Sequence, residues 1–300
     1  MVSIRSRVIG EQTYYYLVHS VRIDGVVEPR ELYLGKTIPK NIDEIKYKFV
    51  QNIYSEKWFP LLEKIKESYC RQQKGMPPTA RQKELEAFMI NFTYHTQRIE
   101  GSTLSLQETV VLLQDGITPK NKPLPDTLEA KAHKELFYEM LKTKKDLSLQ
   151  LVQDWHYKLL KDSESDIAGK IRKEQVVITG SRYVPPSPVE VFPMLRDLFR
   201  WYDRNKNGNK IHPVEVAALV HLKFVSIHPF HNGNGRISRL MMNYVLNRKS
   251  YPMFNVPYER RISYYRALER AQLSKIDSIF VQWLIRNYIK LQSRYLRVKQ

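Results

Sequence analysis

The residues best able to do chemistry lie in one run, Ile227-His228-Pro229-Phe230-His231-Asn232-Gly233-Asn234-Gly235-Arg236-Ile237-Ser238-Arg239, set between two helical patterns. Pro229 and the glycines enforce a loop whose backbone can approach a ligand closely. A helix beginning near Asn234 would offer unpaired N–H groups and the positive end of its dipole, which together form an anion cradle. Arg236 and Arg239 are three apart, so both planar cations can face the same bound polyphosphate. His228 titrates near neutral pH and can take a proton from an attacking hydroxyl. A base, an anion hole and arginine clamps suit phosphoryl or nucleotidyl transfer.

The run resembles the Fic-family motif H-P-F-x-[DE]-G-N-G-R-x-x-R, matched at His228, Phe230, Gly233, Asn234, Gly235, Arg236 and Arg239. The segments AALVHLKFVSI, PPSPVEVFPML and VPYERRISYYRALERA are similar to Fic-domain segments as well, so the resemblance covers roughly the C-terminal three quarters. It implies AMP transfer from ATP onto a Ser, Thr or Tyr hydroxyl of a protein. In that scheme His228 is the general base. Asn234 with the backbone of Gly233 and Gly235 holds the α-phosphate, and Arg236 and Arg239 bind the β- and γ-phosphates. Phe230 anchors the loop, Tyr265 lies near the nucleotide base, and Val177, Ile178 and Thr179 form a flap that docks the target by strand-like pairing.

The chain departs from the motif at one position. Asn232 stands where most members carry an acid that ligates Mg2+, the ion expected as cofactor with ATP; its neutral carbonyl oxygen would hold the metal more weakly. A second signature, Thr96-Gln97-Arg98-Ile99-Glu100-Gly101, is similar to the family's inhibitory [ST]-x-x-x-E-[GN] at a helix end. It implies that Glu100 pairs with Arg239 and fills the γ-phosphate space, with Thr96 and Gly101 completing the element. The same glutamate could instead position water to remove AMP from a modified protein. By the same analogy, a free flap edge and a self-inhibiting helix are compatible with control through a homodimer.

These residues need a helical frame. Apolar periodicity predicts helices over 81–100, 106–114, 126–142, 149–161, 188–204, 213–226, 234–247, 262–273 and 277–296, hence a mainly α domain over 79–300. The exception is 174–184, whose β-rich arms flank Thr179-Gly180-Ser181 and predict a hairpin, the flap. Residues 1–75 form a separate α+β unit. It has a hairpin turning at Asp24-Gly25 and a helix over 41–73 that Pro60 should break or kink, and it ends in the linker Lys74-Gly75-Met76-Pro77-Pro78. Tyr14, Tyr15 and Tyr16 fit a half-buried strand better than a base-stacking platform, because consecutive strand residues point to opposite faces.

Composition bounds the remainder. With 42% hydrophobic residues in a 300-residue chain, a sizeable core is available. The absence of a long apolar run or a signal-peptide core gives the expectation of a cytoplasmic protein with no membrane partner. The lone Cys70 cannot form an internal disulfide, and His221, His228 and His231 lack the carboxylate or cysteine that would complete a metal site. The net charge of +18, with 14 Lys+Arg against 3 Asp+Glu from 236 onward, attracts an acidic partner without naming it. A nucleic-acid-binding regulator with a secondary Fic domain therefore stays as the alternative. Loss of ATP-dependent labelling with His228→Ala, against salt-sensitive DNA retention that survives it, separates the two.

Overall fold

The computed structural model describes residues 2–23, 26–207 and 211–297. The chain divides into two compact units, Met1–Glu63 and Lys64–Gln300. The division comes earlier than the linker expected at 74–78, which is instead the junction between two helices.

In the first unit, strands β1 (Ser3–Ile9), β2 (Gln12–Ile23) and β3 (Val26–Gly35) form an antiparallel sheet in sequential order. The expected hairpin is β2–β3, paired from Ile23↔Val26 onward; its Asp24-Gly25 turn lies outside the described residues. Strand β1 was not foreseen, because Ser3–Ile9 (SIRSRVI) lacks the strict apolar/polar alternation of a half-buried strand and no turn pair as strong as Asp-Gly precedes β2. One face of the sheet carries Leu17 and Val21 against Phe49 and Ile53 of helix α1 (Ile42–Gly75). Tyr14 and Tyr16 lie on the opposite face beside Tyr33, with ring centroids 6.2 and 5.3 Å from it. Pro60 does not break α1. A proline removes one backbone donor and crowds the preceding turn, a local loss that the flanking turns absorb here.

The second unit is helical: α2 (Pro78–Ile99), α3 (Leu106–Gln114), α4 (Leu124–Lys142), α5 (Leu149–Leu160), α6 (Pro188–Asn205), α7 (Pro213–Ile227), α8 (Asn234–Arg248), α9 (Arg261–Ser274) and α10 (Ser278–Leu291). The stretch expected as one helix over 277–296 is α10 followed by a short 3-10 turn, Ser293–Leu296. Helices α7 and α8 are buried along nearly their whole length, from Val214 to Ile227 and from Asn234 to Leu246; α7 is apolar on nearly every side, whereas α8 also buries Asn234, Arg236, Ser238, Arg239 and Asn243. The loop 228–233 joins them, so it starts and ends in the buried core. Among the described residues no helix is long and apolar enough to cross a membrane.

The expected hairpin at 174–184 is not a hairpin: no residue from 174 to 184 is in a strand. A turn is present, with the Ser181 N–H donating to the Ile178 carbonyl at 3.0 Å, but its arms do not pair. β-rich composition describes residues that fit a pleated surface, and this segment has no neighbouring strand to supply one.

Candidate active site

His228 caps the C-terminus of α7 in the left-handed region, at φ 50°. Its Nδ1–H donates to the Val225 carbonyl at 3.3 Å, which leaves the Nε2 lone pair for other work. Burial pushes its pKa below the ordinary histidine value. The Val225 bond and the Glu100 carboxylate pull it back up in part, while Arg172 adds to the depression. The ring is therefore neutral at pH 7, as a base must be.

Residues from distant elements hold the loop in shape. Phe230 is fully buried and stacks on His156 of α5, with centroids 3.7 Å apart and ring planes 11° from parallel. His156 accepts from the Gly169 N–H at Nδ1 (2.8 Å) and donates from Nε2 to the Asn232 carbonyl (3.0 Å). Burial lowers its pKa to about 4, so this tautomer persists at neutral pH. Arg172, only 2% exposed, donates from Nε to the His228 carbonyl at 2.7 Å, and its backbone N–H donates to Pro229 at 2.9 Å. The sequence singled out neither residue. Their hydrogen bonds end on backbone groups, which every residue has and no motif records.

Glu100 ends α2 inside the same cavity. Its Oε1 accepts from Arg239 Nη2 at 2.6 Å, while Arg239 Nε donates to Thr96 Oγ1 (2.6 Å), Nη2 also to the Thr96 carbonyl (3.2 Å) and Nη1 to Tyr264 Oη (3.3 Å). Every nitrogen of Arg239 is thus engaged. Burial by itself would raise the Glu100 pKa, but Arg239, Arg236 and His228 outweigh it and hold the carboxyl below the usual carboxylate range. A methyl group at Gly235 would clash with Glu100 Oε1, so the carboxylate rests directly on the first turn of α8. At φ 104°, Gly101 supplies the left-handed turn that ends the element.

Arg236 and Arg239 part company. Arg239 lines the cavity, whereas Arg236, 2% exposed, turns away to an ion pair with Glu129 of α4 and to Gln97 Oε1 at 3.2 Å. Helical spacing put both on one side, but the acid on α4 decides where Arg236 points. Two further expectations change. The Asn234 side chain is spent on the loop, accepting from the Phe230 N–H (3.0 Å) and donating to the Phe230 carbonyl (2.7 Å), so only its backbone N–H is left for a ligand. Asn232 Oδ1 accepts from the Gly233 N–H (2.6 Å) and Arg236 Nη2 (3.2 Å), and its Nδ2 donates to Glu164 Oε1 (2.6 Å). That oxygen is saturated and does not fit a resident Mg2+, and among the described residues no group of three or more His, Cys, Asp or Glu could hold a metal ion.

The cavity, about 820 Å3, is lined by Glu100, His228, Gly235 and Arg239 together with Val177, Ile178 and Thr179 of the flap. Tyr265 is on its wall, half exposed, with Oη donating to the Ile99 carbonyl at 2.7 Å. Burial raises that hydroxyl to about 12. Val177 is 81% exposed, so the tip of the flap is open to a partner. The first-turn N–H groups of α8, beyond reach of any intrahelical carbonyl, complete an anion hole next to a neutral histidine.

Residues 146–246 match the Fic/DOC family. The protein adenylyltransferase fic-1 of Caenorhabditis elegans is 32% identical over 210 residues, 68% of this chain and 41% of that protein. The protein adenylyltransferase Fic of Drosophila melanogaster is 32% identical over 181 residues, 59% of this chain and 36% of that protein. The chain thus spans about two fifths of the length of these curated relatives. A Fic domain-containing signaling protein from Bacteroides thetaiotaomicron has a TM-score of 0.71 at 26% identity, covering 79% of this chain and 96% of that one. A structure of residues 134–508 of the C. elegans Fic-1 has a TM-score of 0.68 at 26% identity, covering 85% and 76%.

Proposed function

The chain belongs to the Fic/DOC family through the domain spanning residues 146–246, and from that premise we propose that it transfers AMP from ATP to a hydroxyl side chain of a protein, held in check by Glu100. What supports this most is the placing of a neutral His228, the open N-terminus of α8 and Arg239 around one cavity that Glu100 already occupies.

In the reaction, His228 Nε2 accepts the proton of a Ser, Thr or Tyr hydroxyl as that oxygen bonds to the α-phosphorus of ATP. The bond from the α-phosphorus to the bridging oxygen breaks, and pyrophosphate leaves. The backbone N–H groups at the start of α8 face the charge that builds on the α-phosphoryl oxygens. Arg239 holds the leaving phosphates once it exchanges the Glu100 carboxylate for a phosphate oxygen, while Arg236 keeps the loop tied to α4 through Glu129. The flap offers the backbone around Val177–Thr179 to an extended segment of the target. Position 232 carries no acid, and every role here belongs to the chain's own groups; Mg2+ arrives with the ATP phosphates.

A second reading, removal of AMP from a modified protein, is favoured by one observation. Glu100 is ionised in the cavity of His228 and keeps 27% of its side chain exposed, where it could orient a water. One experiment tests both. Wild type, Glu100→Gly and Glu100→Gly/His228→Ala are incubated with α-32P-labelled ATP and Mg2+. Label on protein with Glu100→Gly alone is expected. Labelled protein that loses AMP to wild type but not to Glu100→Gly would favour removal, and no label under any condition would overturn the transfer reading.

A further inference from the structure

Arg172 is a buried arginine without an acid: among the described residues its donors reach only carbonyl oxygens. Besides His228 at 2.7 Å from Nε, Nη1 reaches Glu174 at 2.9 Å, and Nη2 reaches Pro186 at 2.6 Å and Ile227 at 3.5 Å. Burial accordingly lowers its pKa. A guanidinium taken out of water with no counter-charge is costly unless its N–H groups are all satisfied, so this placement has to return something.

Its carbonyl partners fall into two sets. Ile227 and His228 form the end of α7, where backbone carbonyls have no intrahelical donor and carry the negative end of the dipole. Glu174 and Pro186 are the two stems of the flap. Since the flap has no ladder, its stems are closed by side chains: Arg172 across the whole segment and Gln175 Nε2, which donates to the Pro185 carbonyl at 3.0 Å. Tyr183 Oη donates to the Ser226 carbonyl at 2.9 Å and fastens the same flap to the same helix end.

We propose that Arg172 is a positioning residue that fixes the flap to the catalytic turn, so that a target docked on Val177–Thr179 presents its hydroxyl at a set distance from His228 Nε2. The role rests on the adenylyl-transfer reading. Lysine cannot replace it. An ammonium keeps the charge but lacks the planar fork that reaches carbonyls on three sides.

The test uses the full chain with Glu100→Gly as background, adding Arg172→Lys and, separately, Arg172→Ala with and without methylguanidinium. Hydrogen exchange is read at the Ser181 and Arg182 amides, bonded to Ile178 and Glu269, and at α8 as a reference. The expected result for Arg172→Lys is exchange at least about tenfold faster in the flap with α8 unchanged. Self-labelling should be about 10- to 100-fold slower at an unchanged KM for ATP, because a displacement near 1 Å has that cost. Methylguanidinium should restore part of the rate to Arg172→Ala. Flap and α8 exchange accelerating together would mean a merely structural arginine and overturn the proposal, as would a flap unchanged in Arg172→Lys. The exchange measurements need no AMP transfer. A chain that never labels therefore removes the transfer reading while the link between flap and α7 is still judged.

Discussion

The motif loop and the flap face the same cavity, and they are held in opposite ways. From His228 to Gly233 the loop is fixed by a stacked pair, Phe230 on His156, by reciprocal bonds of Asn234 with the Phe230 backbone, and by Arg172. From Val177 to Thr179 the flap has no strand partner: it is fastened at its stems and, just after the turn, through Ser181 and Arg182 to Glu269, while Val177 stands in solvent. The rigid region contains the groups that must be placed before the reaction starts, the base and the anion hole. The open region contains backbone that a target's own strand is to complete. Preorganisation is thus confined to what every turnover shares, and the part that differs with the partner is left unpaired.

Breaking the rigid region should have the largest effect. His228→Asn, chosen because asparagine tolerates the left-handed turn better than alanine, should reduce labelling by Glu100→Gly protein about 100- to 10,000-fold with an unchanged melting temperature. The pH profile sharpens the same point. A base works when neutral, so activity should fall as pH drops through the His228 pKa, and burial puts that acid limb below the ordinary value of about 6.5. Glu100 raises that pKa and Arg172 lowers it, so the limb should be lower in Glu100→Gly than in Glu100→Asp. Initial rates measured from pH 5 to 8 decide it, and identical limbs would contradict the contact.

Releasing the lock comes next. Glu100→Gly should raise self-labelling by about tenfold or more and lower stability by about 1–3 kcal/mol, because Arg239 then stays buried without its acid. Gly235→Ala offers an independent check. Its Cβ would press on Glu100 Oε1 and, less closely, on Arg239 Nη1, so it should destabilise wild type more than the Glu100→Gly background. Equal losses in both backgrounds would show that the carboxylate does not rest there. Val177→Pro probes the open region: it should raise KM for a protein target about tenfold without altering KM for ATP, and unchanged target kinetics would remove the flap from docking.

What could be read from the chain follows the same division. Proline, glycine and the αL turn are local properties, so the loop, the helix ends at Glu100 and Asn234, and most helix bounds were legible; Leu106–Gln114 matched to the residue. Arg236 was not, since helical spacing specifies only a side and Glu129 specifies the direction. Nor was the unpaired flap, for strand propensity does not supply a second strand. The basic excess of the C-terminal stretch is partly structural: Arg236 and Arg239 are buried, and Arg294 and Arg260 bond to Glu84 and Asn287. The buried Arg236 and Arg239 cannot serve a nucleic-acid surface, which weakens the reading that charge alone kept open.

The smallest expected effect concerns the departure from the motif. Asn232 Nδ2 now donates to Glu164 at 2.6 Å, a bond an aspartate cannot make. Asn232→Asp would put two carboxylates within contact distance, an arrangement that is stable only with one of them protonated or with a cation between them. ATP brings such a cation, and Mg2+ commonly needs only one or two carboxylates beside the phosphates. In the Glu100→Gly background the substitution should therefore shift the Mg2+ titration of self-labelling to several-fold lower concentration, and Glu164→Gln should undo part of that shift. The same Asn232→Asp protein without ATP should melt at a lower temperature than its parent, because the repulsion is then uncompensated. An unchanged titration curve together with an unchanged melting temperature would mean that position 232 senses neither Glu164 nor the metal, and that its amide serves only to tie the loop to Arg236.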